Sequence, residues 1–217
     1  MNFFDIITGL VPFLLQGLSV TVSVSFFALL FGFAAGLLLS IFRVYGAKPV
    51  QYLLVAVSTV ARAIPQLVLL LLLYFAIAGA VNISPYWAGT LSLAIISTAY
   101  QMEIFRGALQ SVDEGQMMAA RAIGMSRSTA IRKIIIPQAI RSAIPSWSNE
   151  ASIVIKSSSL VYAVGVQEIM RMAQYRNARL HEPFLIYAVV ALIYFVLTFT
   201  TNRVLKIAEN RLKLPEN

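Results

Sequence analysis

Five stretches of this chain, at about 10–42, 50–81, 86–105, 137–166 and 183–203, are long and apolar enough to cross a lipid bilayer. A hydrocarbon core of about 30 Å takes about 20 mostly apolar residues per helix. Inside it every backbone N–H and C=O must be satisfied within the chain, which leaves the α-helix for segments of this length. The expected fold is therefore an all-α integral membrane protein, a single domain over 1–217 with about five transmembrane helices and short cytoplasmic helices in the 106–136 connection. Only 12% of the residues are charged, against roughly 25% in soluble proteins, so a large soluble catalytic domain is excluded. There is no cysteine and a single histidine, His181, so thiolate or His-rich metal chemistry is not expected. The segment Met1–Leu10 has Asp5 but no Lys or Arg. It lacks the positive leader of a cleaved signal peptide, and the first apolar segment is expected to stay.

The first stretch reads as one long tilted helix or as a helix with an interfacial lead-in. The second holds Arg62 and Pro65, and the third is more polar, with Ser97, Thr98, Gln101 and Glu103. An odd number of spans puts the termini on opposite sides, and the positive-inside rule selects the orientation. With the N-terminus outside, the cytoplasmic segments hold Arg43, Lys48, Arg106, Arg121, Arg127, Arg132, Lys133, Arg141, Arg203, Lys206, Arg211 and Lys213, which is twelve of the 17 basic residues. The outer segments hold Arg171, Arg176 and Arg179, and Arg62 and Lys156 fall within spans. The net charge of +8 is thus a topology signal with N-outside and C-inside, and no nucleic-acid partner is expected.

The connection from Arg106 to Pro137 reads as two short helices with a bend. Asp113 can cap the first, Gly124 suits a left-handed stop and Ser126 can cap the second. Each helix has one apolar stripe, which alone would describe a connector lying on the lipid surface. The small residues Ala119, Ala120 and Ala122 offer little bulk to headgroups and instead let another protein approach closely, so the segment reads as a docking plug.

The segment Met118-Ala119-Ala120, three residues, Gly124, nine residues, Ile134, one residue, Ile136-Pro137 resembles the EAA loop of binding-protein-dependent ABC transporter permeases, Glu-Ala-Ala-x3-Gly-x9-Ile-x-Leu-Pro. Met118 stands where that pattern has glutamate and Ile136 where it has leucine. Arg62-Ala-Ile-Pro65, Tyr100-Gln-Met-Glu103-Ile-Phe-Arg106-Gly107, and Asn149-Glu150 followed by Lys156-Ser-Ser-Ser159-Leu160 resemble elements of the polar amino acid permease subfamily. The similarity covers about Gly17 to Leu205. It implies a type I ABC importer transmembrane domain in a prokaryotic inner or plasma membrane, not catalytic itself. Its implied partners are a second permease subunit, identical or homologous, two copies of an ATP-binding subunit, an extracytoplasmic solute-binding protein, an amino acid substrate and membrane lipid. The resemblance makes the 113–137 loop the coupling helix that enters a groove on the ATPase, with Glu114, Met118, Ala119, Ala120, Gly124 and Pro137 as coupling residues and Glu114 in partial replacement of the missing glutamate. No Gly-x-x-x-x-Gly-Lys-Ser/Thr phosphate loop occurs in the sequence, so no cofactor is expected on this chain, and ATP and Mg²⁺ belong to the partner ATPase.

Charges inside spans cost about 2.5–3.5 kcal/mol each on insertion scales and mark functional candidates. Here the substrate-path candidates are Arg62, Gln101, Glu103, Asn149, Glu150 and Lys156. Arg62 has two readings, a cavity-facing grip on a substrate carboxylate or a snorkelling or ion-paired structural arginine. Glu103 and Arg106, three apart, can pair with each other or form a gate. Lys156 reads as structural or gating, and Gln101 with Ser97 as uncharged lining of the path. Outside, Glu168, Arg171, Arg176, Arg179, His181 and Glu182 form a charged loop that either docks the binding protein or is merely solvated, and the tail from Arg203 to Asn217 is an anchor to anionic headgroups. Gly32-x-x-x-Gly36 allows close helix packing, within the chain or at a dimer seam. The expected function is uptake of polar amino acids, with basic ones favoured by Glu103 and Glu150. The alternative, a secondary ion-coupled amino acid transporter, would show inverted repeats that the chain lacks.

Overall fold

The computed structural model describes residues 3–212; Met1, Asn2 and the tail from Lys213 to Asn217, including one of the basic residues placed on the cytoplasmic side, lie outside the described residues. Among the described residues all regular structure is helical. The first apolar stretch forms α1 (Phe3–Leu15) and α2 (Leu18–Tyr45). They are separated by a turn at Gln16–Gly17, where a side chain on Gly17 would sit 2.5 Å from the backbone of Glu168 and Ile169. Only glycine permits that backbone-to-backbone approach.

The run 50–81, read from the sequence as a single kinked span, is two helices, α3 (Lys48–Ala63) and α4 (Gln66–Ala80), meeting at 114°. Pro65 explains the break: it has no N–H to donate and it forces Ile64 out of the helical region, to φ −85° and ψ 138°. Helix α5 (Pro85–Ser111) starts at a Ser84 cap and passes the expected end at Phe105 by a turn and a half. Next comes α6 (Glu114–Ala122). The second of the two expected loop helices is not separate. It is α7 (Arg127–Ala130), the first turn of a helix that runs through a π turn at Ile131–Ile135 into α8 (Ile136–Ser157) and ends in a 3₁₀ stretch, Ser158–Val164. No residue between Ala130 and Pro137 stops the helix. Pro137 lacks the N–H that would reach the Lys133 carbonyl, and the chain absorbs the gap by widening: the Ile136 N–H bonds five residues back, to Ile131. Helix α6 thus stands alone between the end of α5 at Ser111 and the start of α7 at Arg127.

The chain closes with α9 (Ile169–Leu180) and α10 (Pro183–Leu212). Helix α5 is the central element, packed on α2, α3, α4 and α8. Gly32 and Gly36 of α2 face it: a side chain on Gly36 would meet Gln101 Cβ at 2.9 Å, and one on Gly32 would collide with Gln101 Nε2. The small-residue pair therefore serves close packing inside the chain. Three apolar clusters stack along the bundle. Leu10, Leu14, Ile169 and Ile186 lie at one end, Val24, Leu70, Leu93 and Val161 in the middle, and Phe105, Leu109, Ile135 and Ala139 at the other. Large apolar side chains face outward at the same time, among them Leu53, Phe75, Phe184, Leu192 and Phe195, each more than 60% exposed. A surface so apolar belongs in lipid or against protein.

Candidate functional site

Two regions gather the candidate residues. The first is α6. Asp113 Oδ1 accepts from Gly115 N at 2.7 Å, and the helix stops in a Schellman pattern, with Met125 N on Ala120 O at 3.0 Å, Gly124 N on Arg121 O at 3.1 Å, and Gly124 at φ +85°. Ser126 caps the next helix through Thr129 N. These caps put α6 at a fixed angle with one face outward. Glu114, Met118, Ala119, Ala122 and Ile123 are exposed, Met118 at 67% and Ile123 at 78%. Ala120 is buried against the Arg127–Ile135 segment, so the small-residue surface expected from the sequence is divided, with Ala119 and Ala122 outside and Ala120 inside. Pro137 is also exposed but lies beyond the π turn, on the start of α8. An exposed methionine and isoleucine thus sit on a short, capped helix.

The second region is a cleft of about 640 Å³ lined by Arg62, Tyr100, Glu103, Ile104, Pro145, Ser146, Asn149, Glu150 and Ile153. It brings together four of the six path candidates. Arg62 comes from the last turn of α3, just before the break at Pro65, Glu103 from α5, and Asn149 and Glu150 from α8. Glu103 is fully engaged: Oε2 accepts from Arg106 Nε at 2.7 Å, Oε1 from Ser58 Oγ at 3.1 Å, and Arg62 Nη2 stands 3.9 Å away. Arg62 Nε donates to Ser58 O and Oγ at 3.3 and 3.1 Å. Arg62 thus pairs with Glu103 and also lines the cleft. Glu150 differs. Its Oε1 accepts from Ser97 Oγ at 2.9 Å, and among the described residues no basic side chain pairs with it.

Gln101 and Ser97 do not line the cleft. Gln101 is wholly buried between α2, α5 and α8, where it donates to Ser97 Oγ at 2.9 Å and Leu29 O at 3.4 Å and accepts from Trp147 Nε1 at 2.7 Å. It holds the wall behind Glu150 and makes none of the lining itself. Lys156 is exposed but lies outside the cleft, just under one turn beyond Ile153. Sequence reasoning passed over Ser58 and Trp147. Ser58 precedes Arg62 by one turn, a spacing that marks it as a same-face neighbour, whereas nothing in the sequence places Trp147 on Gln101. Gln66, next to the Pro65 break, likewise accepts from Ser157 Oγ at 2.8 Å, tying α4 to α8.

On the opposite end the charged loop expected around 168–182 is largely the helix α9, and Glu168 is not on its surface. It is buried, capping α9 by accepting from Arg171 N at 2.7 Å, Met170 N at 2.8 Å and Tyr194 Oη at 2.9 Å. Arg179, His181 and Glu182 stay exposed. Arg203 lies over the Phe199 ring at 5.1 Å, and Lys206 pairs with Glu209 at 2.8 Å. Among the described residues no three acidic or histidine side chains gather as a metal site.

Residues 28–214 match the family model described as binding-protein-dependent transport system inner membrane component. The glutamine transport system permease protein GlnP of Escherichia coli K12 is 33% identical over 207 residues, covering 94% of each chain. The nopaline transport system permease protein NocM of Agrobacterium fabrum is 32% identical over 209 residues, covering 91% of this chain and 87% of its own. The arginine transport system permease protein ArtQ of Bacillus subtilis is 29% identical over 208 residues, again 94% of both. A crystal structure of an amino acid ABC transporter with histidines superposes at a TM-score of 0.85 with 34% identity, covering 97% of this chain and 99% of that one. An inward-facing form of the MetNI methionine ABC transporter, 19% identical, shares the fold at a TM-score of 0.76.

Proposed function

The chain belongs to the family of binding-protein-dependent transport system inner membrane components, and from that premise we propose that it carries basic amino acids inward and takes its energy from a separate ATPase docked on α6. It is an amino acid ABC transporter permease subunit of the inner membrane, a transport component and not a catalyst. The observation that supports a basic solute is the unbalanced carboxylate of Glu150. Arg106 and Arg62 already neutralise Glu103, while Glu150 lines the same cleft with one serine hydroxyl for company. A cationic side chain entering the cleft would supply the missing positive charge in a charge-assisted contact. Arg62, at the opposite side of the cleft and loosely paired at 3.9 Å, is placed to meet the solute's carboxylate.

The cleft is open on one side, so a second permease subunit, identical or homologous, completes the path. An extracytoplasmic binding protein delivers the solute, and two ATPase subunits, using ATP and Mg²⁺, drive alternating access through the exposed Met118–Ile123 face of α6. The termini lie outside (N) and inside (C). Ligand-driven switching of this kind requires contacts that differ between the outward and inward states, and the Arg62–Glu103 pair across α3 and α5 is one that can. The ion-coupled alternative is not favoured for a member of this family.

The test is solute-stimulated ATP hydrolysis by the assembled complex across arginine, lysine, histidine, glutamine and glutamate. Stimulation by the basic solutes is expected to fall about tenfold or more in Glu150→Gln, the loss of one charge-assisted contact, with glutamine stimulation unchanged or raised. Stimulation by glutamate alone, or basic-solute stimulation unaffected by the substitution, would overturn the basic-solute reading.

A further inference from the structure

Helix α6 meets the spans through Met117, packed on the cluster of Phe105, Leu109 and Ile135. It also packs on the Arg127–Ile135 segment, and between it and the ends of α2 and α5 lies a cavity of about 550 Å³, lined by Tyr45, Leu109, Asp113, Met117 and Arg127 among others. Val44 and Tyr45 at the end of α2 join the same apolar cluster as Met117. Two polar side-chain contacts stand beside this apolar one. Arg127, the first residue of α7, lies with its guanidinium 5.7 Å from the centre of the Tyr45 ring, on the last turn of α2. Gln138, just past the π turn, donates to Gln116 Oε1 of α6 at 3.4 Å and to Ile134 O at 3.1 Å.

We propose that the Arg127–Tyr45 stack is the positioning contact that makes α2 move with α6, so that docking strain from the ATPase reaches the solute cleft by way of α2 and α5. Helix α8 needs no such clasp, because α7 continues into it through the π turn and Gln138 fastens α6 to the same stretch. Helix α2 has no covalent continuity with α6, and the guanidinium on the tyrosine face adds a polar link beside the shared apolar cluster. The geometry suits the task. A cation over a ring is attracted over a range of orientations, so the contact can slide as the segment tilts without letting go. From Tyr45 the route is rigid: α2 meets α5 at Gly36 and Gly32 with backbone-close packing on Gln101, and α5 carries Glu103 into the cleft wall. This inference rests on α6 being the ATPase-docking helix.

The assembled complex, with its ATPase, partner permease and binding protein, is reconstituted in vesicles and measured for ATPase retention, solute-free ATP hydrolysis and solute moved per ATP. Tyr45→Ala and Arg127→Gln are each expected to keep the ATPase and the solute-free rate while solute moved per ATP falls about fivefold or more, the lower range of coupling free energies. Tyr45→Phe keeps the ring and is expected to keep the ratio. The double variant is expected to be no worse than either single, since both remove one contact. A wild-type ratio in Tyr45→Ala, or losses that add in the double variant, would overturn the proposal; so would release of the ATPase by Tyr45→Ala, which would make Tyr45 a docking residue. If Tyr45→Ala fails to fold, Arg127→Gln, at an exposed position, carries the same readouts. Failure of the unaltered chain to bind an ATPase would instead sink the functional reading itself, and is separable by that measurement.

Discussion

Gln101 makes three hydrogen bonds from a position with no exposed surface, and the two glycines opposite leave it the room. Gly36→Val adds bulk 2.9 Å from Gln101 Cβ and 3.0 Å from the Met102 backbone nitrogen. It should destabilise the α2–α5 contact by about 1–3 kcal/mol, the usual range for overpacking. The expected readout is a thermal transition of the purified chain several degrees lower, with no change at a lipid-facing control such as Leu53→Val. A Gln101→Leu substitution should be milder in packing but should leave the Trp147 and Ser97 groups short of partners, at about 1–3 kcal/mol for a buried orphan. In the sequence Gln101 reads as lining for the path because a polar residue in a span is costly and asks for a purpose. Its purpose is structural, and the residues that reveal this, Gly32, Leu29 and Trp147, are distant in the chain and give no local sign. Glu103 and Arg106, by contrast, are three apart on one helix, so their pairing could be read directly.

At the scale of elements, capping was legible because it is local. Asp113, Gly124 and Ser126 stop and start helices by their own side chains or backbone, and each does so in the structure. Gly124 is the sharpest of the three. Nothing lies within 4 Å of where its side chain would be, but its φ is +85°, so Gly124→Val has no clash and about 1–2 kcal/mol of backbone strain. The expectation is a frayed α6 and loss of the ATPase on purification, with the spans intact by thermal melting; unchanged ATPase retention would disprove α6 as the docking element. The join of α7 to α8 was not legible, because Pro137 ordinarily signals a helix start, and the π turn that carries the helix past it depends on the burial of Ile131 and Ile135, the latter against Phe105 and Leu109 of α5. The break at Pro65 was legible as a site of bending but not in size. The 114° angle is held by partners on both sides, Arg62 on α5 and Gln66 on α8.

For the whole molecule, the apolar frame is the most readable feature, since five windows of hydrophobic residues need no knowledge of contacts. Two helices, Thr8–Tyr45 and Pro183–Arg211, are long and apolar enough to cross alone, and two bent pairs are so together. The orientation expected from the charge distribution is open to a clean test, because the sequence has no cysteine. Single cysteines placed at the exposed positions Ile123 and Arg179 should be labelled by a membrane-impermeant thiol reagent from opposite sides, Arg179→Cys in intact cells and Ile123→Cys only after the membrane is opened. Labelling of both from one side would reverse or discard the assigned topology.

The central helix is absent from the self-sufficient spans. Helix α5 has 27 residues, but its mean apolarity is lowered by Ser92, Ser97, Thr98, Gln101 and Glu103; Ser92 and Thr98 bond back to carbonyls of α5 itself, whereas Ser97, Gln101 and Glu103 also reach partners on α8, α2 and α3. It is polar because it is enclosed. During synthesis, then, α5 emerges before α8 exists to shelter it and with a poor claim of its own on the lipid, so it must wait beside the insertion machinery or enter in the company of α2. Biogenesis of this protein is expected to hinge on its middle, and a chain truncated after Ser111 should insert α5 poorly while the same chain extended through Val164 inserts it fully.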